Sequence, residues 1–209
     1  MMRTEAVLPP VLALLKQFMA TEVLTPFSLG GGTSLALRFG HRVSVDIDLF
    51  CLQPFDSMAL QERLVTVSPH FGLVGRTPGS LCLHVNGVKV DLLLHAYPRL
   101  APDELLDGIR CLSLDDMAAM KVNAITNRGS KKDFSDILLL CDRGYTLEGI
   151  MNLFCKKYGE DARFLALRSL LFFDDAEEEP DPVYLNAWTW SGVREQVTRL
   201  IHASPSLLA

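Results

Sequence analysis

Residues 29–50 read LGGGTSLALRFGHRVSVDIDLF, and the position of Asp46 and Asp48 in the second half needs an explanation. In an extended segment successive side chains alternate. Val45, Ile47 and Leu49 therefore point one way, and Ser44, Asp46, Asp48 and Phe50 the other. The alternation predicts a strand over residues 42–51 carrying two carboxylates on one face, roughly 6–7 Å apart. Desolvating each charge costs on the order of several kcal/mol, and the two also repel each other. A cation between them offsets both effects, and a divalent ion with hard oxygen ligands is the usual solution. Upstream, Gly30–Gly32 lie where a short apolar strand turns into a brief helix. Glycines let backbone N–H groups approach a ligand closely, and the first turn of the following helix favours an anion.

Working outward, SLCLHVNGVKVDLLLH (residues 80–95) is the clearest local signal. Asn86-Gly87 is a type I′ hairpin dipeptide between two β-rich runs, and Asp91 lies in the returning strand. VLALLKQFMATEVL has helical periodicity with Pro9 or Pro10 in its first turn, and DSMALQERLVTVS reads as a helix with Asp56 or Ser57 as N-cap. These elements predict a small twisted sheet of mainly adjacent, antiparallel strands covered by helices on one face. After residue 112 the pattern becomes helical. Ser113 is an N-cap with Asp116 at the capping-box position, Gly129 ends that helix, and Ser130 opens SKKDFSDILLLCDRG. TLEGIMNLFCKKYG, a helix over residues 160–173 and a last helix near WSGVREQVTRLIHA follow. DDAEEEPDP between them reads as a solvated acidic loop. The expected class is α+β, with an α/β lobe over residues 1–112 and a helical lobe over 113–209.

Composition narrows the function classes. The 209 residues carry a net charge of −5, with 49% hydrophobic and 22% charged residues, an ordinary globular balance that argues against indiscriminate coating of nucleic acid. Five cysteines, at 51, 82, 111, 141 and 155, sit singly in apolar contexts, so reduced buried thiols are expected rather than disulfides or zinc ligands. AVLPPVLALL is too short to span a membrane and Lys16 follows it, so it reads as a helix of a cytoplasmic protein and not as a signal peptide.

The order strand, glycine turn, helix, DxD strand, then Asp91 suits nucleotidyl transfer. The glycines meet a triphosphate, and the carboxylates hold two metal ions that activate the attacking hydroxyl and stabilise the leaving pyrophosphate. Each part also has a plain structural reading. A GGG turn makes a tight connection, and Asp91 shares a face with Lys89 as an edge-strand charge pair. Ser130 and Asp133 form a capping box, while Lys121 and Arg128 suit surface positions. His41 reads as a loop residue, and Trp188 and Trp190 as packing or interface residues.

LGGGTSLALRFGHRVSVDIDLF resembles the AbiEii/AbiGii-type nucleotidyltransferases, a bacterial branch of the polymerase-beta-like superfamily. KVNAITNRGSKKDFSDILLL resembles the branch's second element, and VKVDLLL the strand with the third carboxylate. The matches span about residues 27–140. The resemblance implies a metal-dependent enzyme moving an NMP from an NTP to an acceptor hydroxyl. Mg²⁺ is the implied cofactor, as two ions, with Mn²⁺ as a substitute. Asp46, Asp48 and Asp91 become metal ligands, Asp91 also a general base. Gly31, Gly32, Thr33 and Ser44 become phosphate contacts. From the helical lobe, which is expected to complete the active site, Lys121 and Asp136 join the catalytic set, and Arg128, Lys132 and Asp133 the nucleotide-binding set. Asp133 and Asp136, at i and i+3, would orient Lys121 or the nucleotide.

The branch also implies a toxin of a toxin–antitoxin pair, with a cognate antitoxin as partner and a tRNA end as acceptor. Residues 121–168 hold nine Lys/Arg against six Asp/Glu, a basic local balance suited to RNA or simply to a solvated helical face. Two other readings use the same residues: a catalytically silent partner-binding protein, and phosphotransfer to a protein hydroxyl.

Overall fold

A computed structural model describes residues 2–68 and 70–204. They divide into two units, one within Met1–Pro98 and Pro102–Leu112, the other within Arg99–Ala101 and Ser113–Ala209. Residue 1 of the first expected lobe and residues 205–209 of the second lie outside the described residues.

In the first unit α1 (Pro9–Ala20) starts with its prolines in the first turn, where no N–H is missed. β1 (Ser28–Leu29), α2 (Gly31–Phe39), β2 (Ile47–Cys51) and α3 (Ser57–Val65) follow. Asp56 caps α3, its carboxylate accepting from the Met58 and Ala59 amides. Next come β3 (Phe71–Thr77), β4 (Ser80–Val85), β5 (Val88–Leu94), β6 (Glu104–Leu106) and β7 (Ile109–Cys111). Asn86 and Gly87 take positive φ between β4 and β5, with Val85 opposite Val88, as the hairpin dipeptide requires.

The strands form one sheet in the order β3-β4-β5-β2-β1-β7-β6. As expected of a mainly antiparallel sheet, β1–β2, β3–β4, β4–β5 and β6–β7 pair antiparallel between sequence neighbours, while β2 pairs β5 and β1 pairs β7 in parallel. A parallel pair needs a crossover, and β2 reaches β5 only after α3, β3 and β4 have intervened. The expected strand over 42–51 is shorter. Residues 42–46 run into it with isolated bridges at Arg42 and Ser44, the latter to Val7, and Val45 is exposed rather than aligned with Ile47 and Leu49.

Ile47, Leu49 and Cys51 alternate inward with Leu81, Leu83, Val88, Val90 and Leu92, and join α1 (Val11, Leu14, Leu15, Phe18) and α3 (Leu60, Leu64) in one core. One sheet face is thus closed by helices, and Asp48 and Asp91 stand on the other. Arg110 staples this core by donating to the carbonyls of Met19, Leu24 and Phe27.

The second unit contains α4 (Leu114–Asn127), α5 (Lys131–Asp142), α6 (Leu147–Tyr158), α7 (Arg163–Leu170), α8 (Asp174–Glu177) and α9 (Trp190–His202). Ser113, Ser130, Thr146 and Thr189 cap α4, α5, α6 and α9. The acidic segment is largely exposed, as expected, but it is not all loop. Part of it forms α8, Glu177 accepts from Trp190 Nε1 and Arg194, and Asp181 pairs with Lys131 at 2.7 Å. Trp190 packs with Phe134 and Phe173, with ring centroids 6.0 and 6.1 Å away, so it is a core residue.

Candidate active site

Asp48 and Asp91 are register partners on the parallel strands β2 and β5. Their backbones are therefore about 4.8 Å apart, and their side chains leave the sheet on the same side. Asp46 precedes β2 by one residue. Lys89, two residues before Asp91 in β5, donates to Asp91 Oδ2 at 2.7 Å. Its ammonium is held above the usual lysine range, first by that hydrogen bond, against burial, and then by the charges of Asp91, Asp46 and Asp48. Three carboxylates and one ammonium therefore share one electrostatic site.

The glycine turn stands beside it. Gly31 opens α2 at φ +62°, and a Cβ added there would overlap Asp48 Oδ2. A Cβ on Gly32 would overlap the buried Arg42 guanidinium. The two glycines thus serve different neighbours, and Gly31 lets the helix start press against the carboxylate. No side chain caps the first turn of α2, unlike α3, and no proline fills it, unlike α1. An uncapped nine-residue helix offers its first-turn amides to an anion. Gly31→Ala should cost about 1–2 kcal/mol of stability for the left-handed backbone alone. By displacing Asp48 it should lower turnover by at least about tenfold. Thermal melts and initial rates check the two effects separately.

Thr33 and Ser44 face inward. The Thr33 hydroxyl lies 2.8 Å from Ser44 Oγ and hydrogen-bonds the Asp46 carbonyl, so these residues brace the chain at Asp46.

Among the described residues no three His, Cys, Asp or Glu side chains converge on one ion position. The donor set nevertheless fits a hard divalent cation. All three candidates are carboxylates, and Asp91 Oδ1 is buried with no hydrogen-bond partner. A buried carboxylate oxygen without a donor needs some positive charge nearby.

In the second unit the named residues form a network of their own. Lys121 Nζ lies 2.9 Å from Asp133 Oδ1 and 2.6 Å from Asp136 Oδ2, with both carboxylates fully buried. Arg128 donates to Asp133 from Nε at 2.8 Å, and Ser130 Oγ from 2.8 Å. Burial pushes the Asp133 carboxyl up, but the Lys121 charge and the Arg128 hydrogen bond outweigh it and leave it at about 2. Lys121 is therefore no surface residue, whereas Lys132 is exposed. The basic surplus of residues 121–168 is largely engaged in ion pairs, with Lys131 on Asp181, Lys157 on Asp116 and Arg163 on Glu160.

Sequence reasoning missed three features. Lys157 pairs with Asp116 at 2.6 Å in complete burial, and Asp116 also accepts from Ser113 Oγ and the Leu100 amide. Burial raises that carboxyl, and these partners bring it below the usual range. Arg42 is buried against the glycine turn, which its place beside a loop histidine did not suggest. Phe50, on the Asp48 face, meets His95 edge-on at 5.9 Å, and His95 meets Tyr97 at 5.1 Å. That aromatic run could have been noticed from the alternation of residues 46, 48 and 50.

This chain is a nucleotidyltransferase, and its mixed sheet has the polymerase-beta-like fold. The chain belongs to the AbiEii family: the family model, described as nucleotidyl transferase AbiEii toxin of a type IV toxin–antitoxin system, matches residues 13–78 and 86–203. An uncharacterised protein of Aquifex aeolicus is 35% identical over 170 residues, which cover 79% of this chain and 82% of that protein. Among solved structures, the nucleotidyltransferase toxin MenT4 of Mycobacterium tuberculosis is similar at a TM-score of 0.59 and 17% identity, over 95% of this chain and 85% of that one. A nucleotidyltransferase structure from Helicobacter pylori is similar at 0.54 and 16%, over 94% and 93%. At these identities the two structures speak for the fold. Among the described residues no helix is long and apolar enough to cross a membrane.

Proposed function

We propose that this nucleotidyltransferase acts as a toxin that moves an NMP from an NTP to an acceptor hydroxyl, with divalent metal as cofactor and a tRNA end as acceptor. The observation that carries the reading is the register of Asp48 against Asp91 beside the uncapped start of α2. Asp46, Asp48 and Asp91 would hold Mg²⁺, as two ions, or Mn²⁺, and the bound metal would neutralise phosphate charge and acidify the acceptor hydroxyl. The amides of Gly31 and Gly32 receive phosphate oxygens, and the α2 dipole favours their charge. The Asp91 carboxylate would also act as the general base that takes the acceptor's proton. The acceptor oxygen bonds the α-phosphorus, the bond from that phosphorus to the bridging oxygen breaks, and pyrophosphate leaves. A family defined within toxin–antitoxin systems supports a cognate antitoxin as the genetic partner.

The test is incubation with Mg²⁺, each labelled NTP in turn and total bacterial tRNA, beside Asp46→Asn. Label entering RNA with the native protein and not the variant is the expected result. NTP binding without label in RNA would move the acceptor to another class. Absence of both transfer and NTP binding would leave a silent binding protein.

A further inference from the structure

We propose that Lys89 is the built-in counter-ion of the metal-free carboxylate site, and that a divalent cation displaces it from Asp91. The inference rests on the metal-dependent reading above and goes beyond it by assigning a positioning role to a residue outside the ligand set. The geometry is direct. Lys89 Nζ sits 2.7 Å from Asp91 Oδ2, in the position an ion would need to use that oxygen. Asp48 lies opposite Asp91 in the sheet, and Asp46 and Lys89 each come two residues earlier, just before the first paired residues Ile47 and Val90. On the other side β4 places His84 opposite Lys89 and Cys82 opposite Asp91, so no permanent cation other than Lys89 comes from the flanking strands. Asp48 and Asp91 repel across the parallel strands, and the Lys89 ammonium is a charge that offsets this at Asp91 without metal.

Lys89 is also built to leave. Its side chain is 46% exposed while that of Asp91 is 14% exposed, so the lysine can swing into water at little cost and the aspartate stays in place. One carboxylate oxygen cannot serve both cations at full strength, so binding of one weakens the other reciprocally. Displacement leaves a free positive charge on the face where a triphosphate would arrive. Lys89 thus orients Asp91 before metal enters and supplies a mobile charge afterwards.

The test is calorimetric titration of Mg²⁺ into native protein, Lys89→Met and Asp46→Asn, with melts in EDTA and at saturating Mg²⁺. Lys89→Met should bind Mg²⁺ about fivefold more tightly, the lower end of typical coupling between sites. It should melt below the native protein in EDTA and level with it in Mg²⁺. Because removing any nearby positive charge favours metal, a third readout is needed. The ¹⁵N signal of the Lys89 ammonium, held by its hydrogen bond in EDTA, should be lost when Mg²⁺ saturates the native protein. An unchanged ammonium signal, equal affinities, or a melting deficit that persists in Mg²⁺ each overturn the proposal. If the native protein binds Mg²⁺ and Asp46→Asn does not, the metal reading stands whatever Lys89 does. If neither binds it, both readings fall.

Discussion

Asp48→Asn is expected to lower nucleotidyl transfer by at least about a thousandfold, roughly 4 kcal/mol of lost transition-state stabilisation, without lowering the melting temperature. The substitution keeps shape and volume and removes one negative charge. Asp48 faces Asp91 across parallel strands, so the two carboxylates repel each other there. Its carboxylate also lies against Gly31, where any larger neighbour would displace it. A residue kept in that position for folding should show a loss of stability on removal, and a residue kept for chemistry should not. Initial rates with saturating NTP, paired with thermal melts in EDTA, separate the two. Equal rates in a folded variant would remove Asp48 from the mechanism.

Lys121→Met is expected to destabilise the helical unit by about 3–5 kcal/mol, because it removes the ammonium shared by the buried Asp133 and Asp136, leaving Asp133 with Arg128 and Ser130. Denaturant melts read this directly. Asp136→Asn introduced into Lys121→Met should recover part of the loss, since it removes one of the two buried negative charges. The acid limb gives a second check. In the native protein the Asp133 carboxyl sits at about 2, below its ordinary value of 3.8. A depressed carboxyl contributes stability that is complete above its ordinary value and is lost as pH falls through the folded value. That contribution is about 2 kcal/mol, present above pH ~4 and gone near pH ~2. Without Lys121 the Asp133 carboxyl rises, and acid unfolding should begin at higher pH. A Lys121→Met protein that melts like the native one would show that the network adds nothing to the fold.

The same network shows where sequence reading stops. Ser113-x-x-Asp116 and Ser130-x-x-Asp133 are both legible as helix starts, and both serines do cap their helices. Each aspartate is also the buried acceptor of a lysine far along the chain, Lys157 for Asp116 and Lys121 for Asp133. A capping signal acts within four residues and is therefore written locally. A buried ion pair depends on which helix faces which, and nothing within four residues encodes that. The segment from Asp174 to Asp181 is exposed, as its charge suggested, but its α8 turn and the partners Lys131, Trp190 and Arg194 are not written locally, since they are met only after the helices pack.

At the carboxylate site the division is equally clear. Alternation along residues 46–50 was enough to bring Asp48 and Phe50 to one side, and Asn86-Gly87 was enough to place Asp91 in a returning strand. Local backbone sterics decide both, and they operate over two to four residues. The parallel pairing that sets Asp48 opposite Asp91 was decided by tertiary structure. Parallel strands share no turn, and their register follows from how the intervening helix and hairpin bury their apolar faces on the core.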